Sequence, residues 1–252
     1  MINYVLLTWN RKPFLEQFFE SFYKNIKNEN FTFYIIDNGS KDGCVELLQE
    51  LATKDKRFKI FFNKENKGLG EFKKLFRLAL NNKNNEFMII FDDDIINFPE
   101  NFDQKMINAM KEFKEISYLA LDVIQNDKTN GAKPTSDHYS RITRNGISVD
   151  IGPTGAWCSI VRKKDLKKIM FFVNFFEFSM KRSHDTIISF FSRNILRKKT
   201  GILAGEKCLH ATGPYYAKMY GSLQQDIEKY NKVGLNDLRD FYANYNERED
   251  EK

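Results

Sequence analysis

Between Tyr4 and Leu121 the chain alternates short β-prone apolar runs with longer stretches of helical periodicity. Tyr4 to Thr8 is the first run. Phe14, Leu15, Phe18, Phe19, Phe22 and Ile26 follow at helical spacing, with Pro13 near the helix start, where its missing N–H leaves no bond unmade. Phe31 to Ile36 is a second run, and Val45, Leu48 and Leu51 share one face of the helix after it. Phe58 to Phe62 precedes a helix carrying Phe72, Leu75, Phe76 and Ala79. Phe87 to Phe91 runs into Asp92, Asp93 and Asp94, and a helix from Phe102 to Phe113 leads to a further strand, Tyr118 to Leu121. Strands spaced by helices in this way imply βαβ units and a mostly parallel sheet, hence an α/β fold. Open sheets of this kind bind ligands at the carboxyl ends of their strands. Thr8, Asp37, Asn63 and Asp92 stand at such ends.

The second half is less periodic. Gln125 to Gly146 is polar and reads as a long loop, a lid or a connection. Gly152 to Val161 begins as a Gly/Pro turn and becomes a strand, and His184 to Arg193 reads as a helix with Ile187, Ile188 and Phe191 inward. Beyond Tyr220 the chain is polar and Tyr-rich, and its last stretch, NEREDEK, reads as a frayed tail.

A chain of 252 residues suits one α/β domain with a full core. The three cysteines, Cys44, Cys158 and Cys208, are widely spaced and form no CxxC pair, which argues against a disulfide framework or a structural zinc and for a reducing compartment. The opening MINYVLLTWNRK lacks the order of a signal peptide, and no run reaches the ~20 apolar residues that span a bilayer. The expectation is a soluble, cytoplasmic protein, or one bound peripherally at the inner face of the membrane. A net charge of +6 favours phosphates or acidic lipid as partners. With no RNA-binding signature and no internal repeat, nucleic acid is not expected.

Asp is a poor strand residue, and adjacent carboxylates repel unless a cation or hydrogen-bond donors lie between them. Asp92, Asp93 and Asp94 therefore point either to a solvated, Asp-capped turn or to a hard divalent cation, Mn²⁺ or Mg²⁺, bridging to substrate phosphates. An EF-hand is excluded, since Asn97 stands where Gly is required and Asp103 where Glu is. Asp37, Asn38, Gly39 and Ser40 follow a strand directly. They are either a plain turn with a helix cap or a place where Asp37 accepts hydrogen bonds from a base or ribose. Gly68 to Gly70 opens a helix and could approach a phosphate, but it lacks the spacing of a dinucleotide fingerprint.

Taken in order, TWNR (Thr8 to Arg11), DNGSKDG (Asp37 to Gly43), NKG (Asn66 to Gly68), FDDD (Phe91 to Asp94), GPTGAW (Gly152 to Trp157), HD (His184, Asp185) and a late His210 resemble the inverting GT-A glycosyltransferases of family 2. The resemblance implies a GT-A nucleotide-binding fold with a mostly parallel central sheet and a small C-terminal acceptor-side region. Residues 1–121 would be the nucleotide-sugar half, 122–219 the acceptor and base half of the same domain, and 220–252 a polar extension. It implies a metal-dependent hexosyl transfer from a nucleotide-diphosphate sugar, UDP-linked by default, to a hydroxyl on a glycan, lipid-linked or protein acceptor. Thr8 and Asp37 would hold the base, with Asn10, Arg11, Asn38, Asn66, Gly68 and Asp93 in the same donor-binding loops. Asp92 would contact the ribose or the metal-bound ligand, and Asp94 would coordinate the metal. Gly155, Ala156 and Trp157 would line the acceptor and sugar pocket. Asp185 would be the base, and His210 a further metal or diphosphate contact.

Members of the family usually carry an acidic residue before the base. Here it is His184, which could itself act near neutral pH. The QxxRW element of processive members is absent, which disfavours a polymer-extruding synthase. The rival readings are a nucleotidyltransferase-like enzyme, which would need a Gly-rich basic loop where TWNRKPF stands, and a nucleotide-sugar-binding protein without transfer. Phe171, Phe172, Phe175, Phe176 and Phe178 lie between basic clusters from Arg162 to Arg182. They would fill the core, form a contact in a homo-oligomer, or rest on an anionic membrane.

Overall fold

The protein is described by a computed structural model covering residues 1–82, 85–129, 136–180 and 182–245. Its first half is the alternation expected from the sequence. Strands β1 (Ile2–Thr8), β2 (Phe31–Asp37), β3 (Phe58–Phe62) and β4 (Phe87–Phe91) are joined by helices α1 (Lys12–Asn25), α2 (Cys44–Lys54) and α3 (Phe72–Asn81). These strands run parallel in the order β3-β2-β1-β4. A short strand β5 (Ile95–Asn97) and helix α4 (Phe102–Glu112) lead to β6 (Ile116–Val123). Later come the hairpin β7 (Ser140–Arg144) and β8 (Ile147–Ile151), then β9 (Cys158–Arg162), α5 (Lys163–Val173), α6 (His184–Asn194) and the long β10 (Lys199–His210). The chain closes with α7 (Pro214–Met219), α8 (Leu223–Val233) and α9 (Asn236–Ala243).

The sheet continues from β4 through β9, β6, β10, β8 and β7. β9 is antiparallel to both β4 and β6, and β8 to both β10 and β7, while β6 and β10 are parallel. All other strands on this path point the same way, so the sheet is mostly parallel. The period of two along β1 splits the core between the faces. Tyr4 and Leu6 pack with α1, α2 and α4, and Val5 packs with α3, α5 and α6. The first face is dense in rings: Phe18 and Phe22 of α1 meet Phe33, Phe91 and Phe98. Two buried serines bring α6 close over the sheet: Ser192 Oγ donates to Ser117 Oγ (3.2 Å), and Ser189 Oγ to the Thr154 carbonyl (3.3 Å).

Two expectations are corrected. Gln125 to Gly146 is not wholly a loop, because it contains β7 (residues 130–135 lie outside the described ones). β7 is an edge strand in which only Ile142 is shielded, so it carries no apolar alternation to read. Second, of the phenylalanines between the basic clusters, only Phe178 is buried; Phe171, Phe172, Phe175 and Phe176 are exposed, so they do not fill the core. The polar stretch after Tyr220 contains α8 and α9, which pack around Tyr230 and Tyr242. The NEREDEK tail lies outside the described residues.

Candidate functional site

The strand ends knit the donor-side loops together. Thr8 and Asp37 are register partners at the tips of β1 and β2. Asp37 is fully buried; its Oδ1 accepts the N–H groups of Gly39 (3.1 Å) and Ser40 (2.9 Å), and its Oδ2 has no partner. Gly39 is required on two counts: φ is +81°, and a Cβ there would lie 2.7 Å from the Glu65 backbone. The Asn10 N–H donates to Ser40 Oγ (2.8 Å), and Asn10 Oδ1 accepts the Lys41 N–H (2.7 Å), which ties TWNR to DNGSKDG. Asn38 Nδ2 donates to Asn66 Oδ1 (2.9 Å) and the Gly68 carbonyl (3.2 Å). Its Oδ1 accepts from Asn63 Nδ2 and the Lys67 N–H, both at 3.0 Å. Asn10, Asn38, Asn66 and Gly68 thus shape the loops, while Asp37 keeps one buried carboxylate oxygen unpartnered.

The three aspartates form the turn between β4 and β5. The Asp92 N–H donates to the Trp157 carbonyl (2.9 Å). Opposite them, β10 bulges where its pairing with β6 jumps from Leu203↔Leu121 to Lys207↔Asp122. The strand then turns onto β5, with His210 across from Ile95 and the Ala211 N–H donating to the Asp94 carbonyl (2.8 Å). His210 Nε2 lies 2.9 Å from Asp94 Oδ1 and 3.8 Å from Asp92 Oδ2. Asp94 Oδ1 and His210 Nδ1 are buried without a well-aligned hydrogen bond. Burial raises the Asp92 pKa against the pull of His210, with Asp94, Asp185 and Asp93 adding to the rise. Burial also opposes ionisation of Asp94, but the adjoining His210 holds it below the usual carboxylate range. His210 is pushed down by burial and carried up to about 8 by Asp94 and Asp92.

One ligand atom each from Asp92, Asp94 and His210 falls within a 4.8 Å sphere of mutual distance. Crowded, buried acceptors with too few donors are what a divalent cation relieves. The residues present therefore fit one, held by two carboxylates and one imidazole.

Asp93 turns the other way, toward Arg11 and Thr8; burial raises it and Arg11 lowers it. The Arg11 guanidinium is itself committed to α8, donating to Asp226 Oδ1 (2.7 Å) and Oδ2 (3.2 Å) and to Ser222 Oγ (2.5 Å). Burial works against its charge, but Asp226, Asp93 and Asp94 keep it protonated. A small polar cavity lined by Arg11, Asp94, Thr212, Asp226 and Lys229 separates this pair from the aspartate turn. Ser222, Asp226 and Lys229 escaped sequence reasoning because nothing local marks a partner that lies most of the chain away.

Asp185 sits in the first turn of α6, half-buried, with Oδ1 unpartnered. Its charge adds to the upward shift of both Asp92 and the Tyr118 hydroxyl. His184 points elsewhere. It is 3% exposed and stacked on Phe72 at 3.8 Å, with Phe76 and Phe178 around it. Neither ring nitrogen has a partner, and burial lowers its pKa to about 4. Gly155, Ala156 and Trp157 lie beside the aspartate turn, which the Trp157 carbonyl holds through the Asp92 N–H. A Cβ on Gly155 would lie 2.1 Å from the Trp157 ring, so only glycine lets the indole lie there. Trp157 Nε1 donates to the Leu121 carbonyl (2.9 Å), and its ring is 6.3 Å from that of His210. Tyr118, which sequence reasoning missed, donates from its hydroxyl to the Gly155 carbonyl (3.3 Å). A strand tyrosine carries no sign that its hydroxyl will meet a turn.

The sequence pattern of Glycosyl transferase family 2 matches residues 4–170, which include the strand-end loops, the aspartate turn and the Gly155 to Trp157 segment. The chain belongs to glycosyltransferase family 2. Asp185 and His210 lie beyond the matched stretch, so their roles rest on geometry. No curated protein sequence matches the chain.

Solved structures share the fold at low identity. A mannosyltransferase from Pyrobaculum calidifontis, PcManGT, in complex with GDP-Man and Mn²⁺, aligns with TM-score 0.60 and 14% identity over 92% of this chain and 63% of that one. This family 2 chain therefore spans a little under two thirds of that enzyme's length. S. aureus TarS 1-349 in complex with UDP-GlcNAc aligns with TM-score 0.57 and 15% identity over 96% of this chain and 71% of that one. A 4-diphosphocytidyl-2C-methyl-D-erythritol synthase from Anaerococcus prevotii also aligns, with TM-score 0.55 and 14% identity over 89% of this chain and 96% of that one. The core, a GT-A type fold, is thus shared with that synthase. Family membership comes from the sequence pattern and not from the fold alone.

Proposed function

We propose that this protein transfers a hexosyl group from a nucleotide-diphosphate sugar to a hydroxyl acceptor, inverting the anomeric centre. The observation that carries the reading is the meeting of Asp92, Asp94 and His210, whose ligand atoms lie within 4.8 Å of one another; Asp185, with an unpartnered carboxylate oxygen, adds its charge to the upward shift of Asp92. Asp37 and Thr8 receive the base, Asp37 through its free Oδ2. Asp94 and His210, with Asp92, hold Mn²⁺ or Mg²⁺. When bound, such a cation offsets the charge that grows on the departing diphosphate.

Asp185 accepts the acceptor hydroxyl's proton as the oxygen attacks from the face opposite the diphosphate, which inverts the product. The base is assigned to Asp185 because His184 is stacked in an apolar pocket, where neither nitrogen can reach a hydroxyl. Trp157, Ala156 and Gly155 shape the floor beneath the sugar. Arg11 holds α8 to the loop after β1 and adds positive charge behind Asp93 and Asp94.

GDP-Man and UDP-GlcNAc, named in the complexes of two similar structures, are the first donors to test. Thermal melting with UDP, GDP and dTDP, with and without Mn²⁺, should show a metal-dependent rise for one nucleotide. Released nucleotide from a panel of sugar donors then identifies the sugar. A protein that melts identically in every combination would end the transferase reading.

A further inference from the structure

Five large rings stand exposed on one side of the molecule: Phe171, Phe172, Phe175, Phe176 and Phe190, with Phe171 69% and Phe175 81% accessible. Four of them are joined through the Phe191 ring, and Phe175 lies in the turn that follows α5. Phe172 packs on Phe191 of α6 at 5.5 Å, Phe176 meets the same ring at 5.8 Å, Phe190 adjoins it at 5.6 Å, and Phe171 adjoins Phe172 at 5.4 Å. The turn ending α5 is tight, with the Phe175 N–H donating to the Phe172 carbonyl (3.1 Å) and the Phe176 N–H to that of Val173 (3.0 Å). The patch is thus presented by ordered backbone. Contiguous exposed apolar surface of this kind marks an interaction site.

Charge selects the partner. Residues 163–198 carry nine Lys or Arg against three Asp or Glu, an excess equal to the +6 of the entire chain, so the remainder is balanced. Of the three acids, Asp165 is buried and Asp185 belongs to the site, which leaves Glu177 as the exposed one. Lys164, Lys167 and Lys168 are exposed on the turns of α5 before Phe171 and Phe172, and Arg193 is exposed one turn beyond Phe190. Aromatic rings flanked by cations match the layered chemistry of a membrane interface. The rings enter the acyl boundary, and the cations stay among anionic headgroups. A second copy of this chain would bring the same positive excess face to face with itself. No helix among the described residues is long and apolar enough to cross a bilayer, so contact would be at the surface.

We propose that the Phe171, Phe172, Phe175, Phe176 and Phe190 surface docks the protein on an anionic lipid bilayer. Phe190 is five residues along α6 from Asp185, about 7.5 Å of helix rise. A docked molecule therefore carries its base close to the bilayer, so the acceptor hydroxyl belongs to a membrane-held glycolipid or lipid-linked glycan. This last step rests on the function proposed above, whereas the docking itself does not.

Co-sedimentation with vesicles of phosphatidylcholine, alone and mixed with phosphatidylglycerol, tests the docking without any enzyme assay. The expected result is binding to the mixed vesicles at low salt, loss at high salt, and none to phosphatidylcholine alone. A Phe171→Ser/Phe175→Ser variant replaces two exposed rings, and its circular dichroism should match the wild type. It should bind the mixed vesicles at least tenfold more weakly. Wild-type protein that stays in the supernatant at low salt, or a variant that binds equally well, overturns the proposal. A wild-type dimer in light scattering that the variant dissolves, with no vesicle binding, assigns the patch to a second copy instead.

Discussion

His210 Nε2 lies 2.9 Å from Asp94 Oδ1 because a bulge in β10 carries the strand off the main sheet and onto β5. Neither residue's own neighbourhood in the chain explains the contact. It is made by the antiparallel pairing of β5 and β10, two strands far apart in the chain.

If this pair holds the cation, His210→Ala should weaken Mn²⁺ binding by more than the roughly 10–100-fold that loss of a supporting partner costs. The pH dependence has a definite sign. His210 is raised to about 8 in the metal-free protein, and only the neutral imidazole binds a metal. Affinity should therefore climb as pH rises toward about 8 and flatten above it. Calorimetric titration of Mn²⁺ into the protein and the variant measures both effects, and equal affinities would remove His210 from the ligand set.

Asp185→Asn should leave donor binding unchanged and slow transfer by roughly 10²–10⁴-fold, the usual contribution of a positioned base. The amide keeps the carboxylate's shape but takes no proton at neutral pH. Nucleotide affinity by calorimetry and released nucleotide by coupled assay separate the two effects. Near wild-type turnover would return the base to another residue.

His184 carries a pH liability. Its folded pKa of about 4 lies below the ordinary 6.5, so between those values the unfolded chain binds a proton that the native state does not. Stability therefore falls as pH drops from 6.5 toward 4, by about 2 kcal/mol between pH 7 and pH 5 from this group. His184→Leu removes the liability along with two unpartnered nitrogens. Urea unfolding at both pH values should show a smaller acid loss in the variant, with sugar transfer retained.

Arg11 and Asp226 are 10% and 4% exposed at their side chains, and the pair pins α8 to the loop after β1. Asp226→Ala leaves a buried guanidinium without its carboxylate and should cost about 3–5 kcal/mol. An Arg11→Met/Asp226→Leu variant removes both charges and should cost less than the single change. Denaturant midpoints of the three proteins check this; equal losses would mean that the pair is not coupled.

The first half of the fold was legible because each of its elements announces itself locally. Period-two and helical spacings alternate from Tyr4 to Leu121, and the strand ends that carry Thr8, Asp37 and Asp92 follow from them. β7 was not legible, because an edge strand with one shielded residue has no alternation to display. Arg11 was expected in the donor-binding loop. Its guanidinium is instead taken by Asp226, whose place beside it depends on the packing of α8.

The sequence by itself determined the parallel half of the sheet, the family and the aspartate turn. Hydrophobic periodicity and strand-end carboxylates are local properties that need no partner to be read. Only the tertiary structure decided that His184 is buried against Phe72 while Asp185 is half-buried, that His210 joins Asp92 and Asp94, and that Phe171 and Phe175 stand in solvent while Phe178 is buried. Adjacent residues on a helix point about 100° apart. Which of two neighbours meets the core and which the ligand is therefore set by the orientation in which the helix packs, and that orientation is fixed by contacts distant in the chain.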